Sequence, residues 1–127
     1  MNLTLIDAFG RFGATPTNRL RALSAIAADG AVVLNCSQQH FVHPSRGVLR
    51  YEDRLSREAR DSKDGALLGQ HLTLALDGAL PIRMVVGFPA GPKPGAPRGY
   101  HVRPDLIGRV VKFDGEHFMI DFTRPDV

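Results

Sequence analysis

The sequence predicts an α+β fold: one domain over residues 1–127, with a curved, mostly antiparallel, barrel-like sheet and two or three helices. Three observations carry this. Runs of β-forming residues cluster toward both ends of the chain, at 31–36, 82–88 and 106–122. One stretch, 66–77, has the apolar spacing of an amphipathic helix. The chain has 127 residues, 43% hydrophobic and 23% charged, which suits a single ordinary domain with its own core.

Taken in order, residues 2–9 read as a short helix. Asn2 caps it, Leu3, Ile6 and Phe9 share a face, and Gly10 ends it. Gly13 and Pro16 then break the chain. Residues 17–36 admit two readings. Leu20, Leu23, Ile26 and Ala27 fit a helical stripe, whereas Leu20, Ala22, Ser24 and Ile26 alternate as a strand. Asp29-Gly30 is a strong turn signal before the run 31–36, so the hairpin is preferred. Residues 37–65 are polar. Pro44 and Gly47 mark a loop, 48–51 a brief edge strand, and 52–60 a short exposed helix with Glu52 and Asp53 at its start and Arg57 and Arg60 at its end.

The helix 66–77 carries Leu67, Leu68, His71, Leu72, Ala75 and Leu76 as its stripe, closed by Asp77-Gly78. The run 82–88 is nearly all apolar and so reads as a central strand. Residues 89–104 hold five Pro and three Gly, which implies a long connection without regular structure. Residues 106–123 form a hairpin about Asp114-Gly115. Phe118, Ile120 and Phe122 face one way, and His117, Met119 and Asp121 the other. Residues 124–127 read as a tail.

The net charge is +3, from 13 Arg, three Lys and 13 acids. Arginine matters beyond charge, because its planar fork binds phosphate or carboxylate bidentately and stacks on rings. The plain alternative is the codon usage of a GC-rich genome. A single cysteine, Cys36, forms no internal disulfide and points to a reducing compartment. The first residues have no basic, apolar leader pattern, and no apolar run nears the ~20 residues of a membrane span. A cytoplasmic protein without a membrane partner is expected.

Few residues suggest catalysis. Cys36-x3-His40-x2-His43 holds zinc-type ligands, with Asp53, His71, His101 or water as a fourth, but matches no strong zinc pattern. Cys36 ends an apolar strand, where a thiol is inert, and Ser24, Ser37 and Ser45 lack G-x-S-x-G flanks. The pairs Glu52-Asp53 and Asp61-x2-Asp64 are interleaved with Arg, as on a solvated surface. Neither phosphate-binding glycine motif is present. The sequence therefore implies no metal and no cofactor. A small hydrolase or metal-dependent enzyme on Cys36, His40 and His43 ranks last among the readings.

The basic surface carries more. Residues 78–104 contain no carboxylate but hold Arg83, Lys93, Arg98 and Arg103, with Phe88, Tyr100 and His101. The four cations are candidate phosphate contacts, and Tyr100 and His101 candidates for stacking or hydrogen bonding to bases. Arg46 and Arg50, near Tyr51 and Arg54, would form a second wall. These residues point to nucleic acid. The alternative is a protein–protein module, such as a mobile-element inhibitor docking on an acidic face.

The runs AIAADGAVVLNCSQQHF, LRYEDR, LLGQHLTLAL and PIRMVV, the proline-rich loop with Arg98, and LIGRVVKFDGEHFMIDF together resemble a poorly characterised bacterial family of small proteins. That family is associated with mobile elements and, in some architectures, with nuclease or restriction modules. The order of elements is similar over most of the chain. The family has a strand with aromatic residues before the turn, where this chain has Leu20, Leu23 and Ile26, and an aromatic where this chain has Ser37-Gln38. The resemblance implies a PUA-like barrel that reads modified bases, by analogy of fold.

Overall fold

A computed structural model describes residues 3–16, 22–58, 63–89, 91–92 and 98–125. The fold is α+β. The described residues form helices α1 (Leu5–Gly10) and α2 (Lys63–Gly78) and eight strands. The strands are β1 (Ser24–Ile26), β2 (Val32–Ser37), β3 (Phe41–Ser45), β4 (Val48–Arg54), β5 (Ile82–Pro89), β6 (Arg98–Val102), β7 (Ile107–Phe113) and β8 (His117–Thr123). They make one sheet in the order β1-β2-β5-β7-β8-β4-β3, with β6 on β5. Every pairing is antiparallel except β2 with β5.

The topology requires strong curvature. β2 and β3 are joined by a 3-10 turn over Gln38–His40, yet they lie five strand steps apart in the sheet. Five steps in a flat sheet span about 24 Å, and a link that short reaches about 14 Å at most. The sheet must therefore curl until these strand ends approach. It stays open and does not close into a barrel.

The curl has a stitch. The Tyr51 hydroxyl accepts a hydrogen bond from the Ser37 backbone N–H at 2.9 Å and donates one to Asp53 Oδ2 at 2.8 Å. This ties the end of β2 to β4. The concave face holds the main core: Leu34, Tyr51, Leu68, Leu72, Ile82, Met84, Ile120 and Phe122 are at most 2% exposed. A second cluster covers the convex side of β2 and β5, where Leu5, Ala8 and Phe9 of α1 pack with Val33, Val85 and Tyr100.

The terminal hairpin, α2 and the central strand β5 form as the sequence implies. Asp114 Oδ1 accepts from the N–H groups of Glu116 and His117, and Gly115 takes the left-handed conformation at φ 96°. The region after residue 21 is a hairpin: β1 pairs β2, and Asp29 Oδ1 accepts from the Ala31 N–H in its turn. Leu20 lies outside the described residues. The expected one-face set is not kept, since Ser24 is buried and Ile26 is 41% exposed.

Several expectations need correction. The cap of α1 is Thr4, whose Oγ1 accepts from the Asp7 N–H; Asn2, expected as the cap, lies outside the described residues. Leu3 lies before the helix, in an antiparallel bridge to Tyr100 in which its N–H donates to the Tyr100 carbonyl at 3.0 Å. The buried face of α1 is accordingly Leu5, Ala8 and Phe9. The brief edge strand at 48–51 is the seven-residue internal strand β4, flanked by β3 and β8. The exposed helix at 52–60 is instead the end of β4 and a 3-10 turn over Leu55–Glu58. Glu116 holds that turn by accepting from the N–H groups of Leu55 and Ser56, both at 2.8 Å. Residues 59–62 lie outside the described set.

The connection at 89–104 is shorter than expected, because β5 runs to Pro89 and Arg98–Val102 form β6. Two facts allow this. Pro89 sits at the end of the pairing, and β6 satisfies its backbone against the part of β5 that extends beyond its pairing with β7. The left-handed residue after α2 is Ala79, at φ 52°, and not Gly78.

One core polar group has a pH consequence. His71 in α2 is 7% exposed, and its Nδ1 lies 2.8 Å from the Oγ of buried Ser24 in β1. Burial lowers the His71 pKa below its ordinary value of 6.5. The unfolded chain thus takes up this proton more readily than the folded one. The stability tied to neutral His71 is complete above about pH 6.5 and is lost as pH falls through the folded value. Urea midpoints of the wild type should drop between about pH 7 and pH 5 more than those of His71→Gln. Equal drops in the two proteins would refute this.

Candidate functional site

The strand β6 separates Arg98 and Tyr100 from His101, which the sequence groups together. Successive side chains on a strand face opposite ways. Tyr100 and Arg98 pair across from Gly87 and Pro89, on the convex side, while His101 pairs across from Val86 and faces the other way. Tyr100 is 8% exposed within the second core cluster. Arg98 is exposed, and its guanidinium lies over Gly87, where an added Cβ would meet Nη2 at 2.9 Å. His101 is exposed, with its ring 5.6 Å from that of Phe88.

Arg83 is half-buried on β5. Its guanidinium carbon sits 5.0 Å above the Phe12 ring, and Nη1 donates to the Leu106 carbonyl at 3.4 Å. Arg50 lies on the convex face of β4, where Asp121 of β8 takes its fork bidentately at 2.6 and 2.9 Å. Lys93 lies outside the described residues. His101 therefore faces away from Arg98 and Tyr100, and Arg83 and Arg50 are engaged by partners within the fold.

Arg46 and Arg103 do converge, at the mouth of the curled sheet. Arg46 is at the tip of the β3–β4 hairpin, where Gly47 at φ 81° makes the tight turn. Arg103 follows β6 at the corner into β7, with its N–H directed to the Met84 carbonyl at 3.5 Å. Two further groups join them: Arg124, just past β8, and His43 of β3. The four border a concavity of about 520 Å³. Val48, Leu49 and Leu106 line its apolar part, above Phe122. A concavity of this size suits a small ligand or one residue of a polymer.

Among the described residues, the one carboxylate bonded to these cations is Asp105. Arg103 Nε and Nη2 donate to its two oxygens at 3.1 and 3.0 Å, and Arg124 Nη2 lies 3.7 Å from Oδ2. The bond from Arg103 holds the Asp105 carboxyl below the usual range and raises the guanidinium in turn. Among the described residues, the mouth at neutral pH thus bears three guanidiniums against one carboxylate. His43 adds an imidazole.

Sequence reasoning missed Arg124, which was read as tail. Period two along β8 carries the signal, since Phe118, Ile120, Phe122 and Arg124 share a parity. It also placed His43 with the metal-type ligands. Cys36 is fully buried, and that burial, followed by the charge of Asp53, raises its thiol pKa well above the ordinary value. His40 stands edge-on to Tyr51. Among the described residues, no group of three or more His, Cys, Asp or Glu could hold a metal ion. Ser24 and His71 have a nucleophile–base distance, but Ser24 is 2% exposed and out of reach of a substrate. No helix among the described residues is long and apolar enough to cross a membrane.

No family model, curated protein or solved structure matches the chain.

Proposed function

We propose that the chain is a nucleic-acid-binding module of a bacterial or mobile-element system and that the mouth of its sheet takes the phosphate backbone. The observation that supports this is the convergence of Arg46, Arg103 and Arg124, with His43, on one concavity. The residues come from distant parts of the chain, and the curl of the sheet brings them together. Such a cluster suits an oxyanion with several acceptor oxygens, because each guanidinium offers a fork of donors.

The test is fluorescence anisotropy with labelled single- and double-stranded DNA and RNA across about 50 to 200 mM salt. Arg46→Ala/Arg103→Ala/Arg124→Ala should weaken binding and flatten the slope of log K against log salt by about 2 to 3. Arg50→Ala should leave the slope unchanged, because Asp121 already holds that guanidinium on the opposite face. Absence of binding at low salt, or equal slopes for wild type and the triple variant, would remove the proposal. A stable acidic protein partner that depends on the same three arginines would favour the inhibitor reading instead.

A further inference from the structure

The position of Asp105 is poorly explained by folding. Its side chain is 39% exposed, and those of Arg103 and Arg124 are 41% and 63% exposed. Ion pairs this exposed are weak, because water screens them. The corner itself is held by main-chain bonds, from the Leu106 N–H to the Arg103 carbonyl and from the Arg103 N–H to the Met84 carbonyl. Pro104 further limits its conformations. The carboxylate nevertheless takes the Arg103 fork bidentately and stands beside Arg124.

Two guanidiniums brought to one rim repel each other. An anion between them removes that repulsion, and Asp105 is such an anion. We propose that Asp105 is the internal counter-anion of the mouth: it holds Arg103 and Arg124 together in the free protein and gives them up when a phosphate docks. This rests on the reading of the mouth as a phosphate site. The weakness of the exposed pair makes the exchange inexpensive. The exchange also discriminates between ligands. An incoming carboxylate replaces like with like, whereas a phosphate has additional oxygens that can engage Arg46 at the same concavity.

Asp105 is therefore a competitor that restrains affinity. Asp105→Asn keeps the size of the side chain and removes its charge. With the labelled oligonucleotides above, it should bind about threefold more tightly, the effect of one unit charge some 6 Å from the ligand in water. Its salt slope should stay close to that of the wild type, because the same three arginines meet phosphate in both proteins. Asp121→Asn makes the same change in net charge on the convex face and should move neither quantity. Urea midpoints of both variants show whether the fold is kept.

Weaker binding by Asp105→Asn would overturn the proposal, because the carboxylate would then be a scaffold that the ligand needs. An equal gain in Asp121→Asn would overturn it too, since net charge alone would account for the effect. If the triple arginine variant loses binding while Asp105→Asn behaves as wild type, the mouth reading stands and the counter-anion falls. If the wild type binds no probe, both fall.

Discussion

Gly108→Ala is expected to destabilise the fold by about 3 kcal/mol, at the upper end of the cost of overpacking a core. Gly108 lies on β7 where three strands meet, opposite Phe122 of β8 and Ile82 of β5. The Phe122 ring is laid across it. A Cβ at this position would stand 2.6 and 2.8 Å from two ring carbons and 3.0 Å from Ile120 Cγ2. Both neighbours are fully buried, so neither side chain can turn out into solvent. The strands themselves would have to separate, at the point where β7 joins β5. Phe122→Leu should restore much of the loss in the Gly108→Ala background, although alone it removes core contacts. A double-mutant cycle by urea denaturation reads this coupling. A single Gly108→Ala variant within about 0.5 kcal/mol of wild type would show that the ring yields more easily than its burial implies.

The same ring links the core to the mouth. Phe122 is the floor of the concavity, and Arg124 follows it by two residues on the same parity. A displaced β8 carries Arg124 with it. This explains in part why the sequence was so uneven a guide. The 106–123 hairpin, α2 and β5 were legible because their signals are local: an Asp-Gly turn, a helical stripe, an unbroken apolar run. The strands β4 and β6 were hidden by charge and by proline. Glu52 and Arg54 look helical as a charged run, yet they are the outward half of an alternation whose inward half is Leu49 and Tyr51.

The site was less legible than the fold. Arg50 and its partner Asp121 are 71 residues apart, so no reading of the segment around Arg50 finds its counter-charge. Asp105 is different. It stands one residue beyond the acid-free stretch that ends at Pro104, and only two from Arg103. The pairing was within reach of sequence reasoning, but the boundary of the window concealed it. Convergence of Arg46, Arg103 and Arg124 depends on the curl of the sheet. That follows from the short link between β2 and β3, which is recognisable only once the strand order is known.

Tyr51 tests that curl directly, and two substitutions separate what it does. Tyr51 is 1% exposed, its ring 4.9 Å from that of Phe41 and 6.1 Å from that of Phe118. Its hydroxyl bridges the Ser37 N–H and the Asp53 carboxylate. Tyr51→Phe keeps the packing and deletes both hydrogen bonds, for an expected loss of about 2 kcal/mol at roughly 1 kcal/mol each. Tyr51→Ala also leaves a cavity, and the loss should rise to about 5 kcal/mol. Burial pushes the phenol pKa well above its ordinary value, and the nearby Asp53 charge adds to this, so the hydroxyl remains a donor at any physiological pH. The Tyr51→Phe loss measured by urea denaturation should therefore be the same at pH 6 and pH 8. Loss of the stitch also frees the end of β4 from β2. Since β4 carries the hairpin with Arg46 at its tip, Tyr51→Phe should weaken oligonucleotide binding even under conditions where it is fully folded. If instead Tyr51→Phe matches wild type in stability, the approach of β2 and β4 is held by apolar packing alone, and the mouth does not depend on the bridge across it.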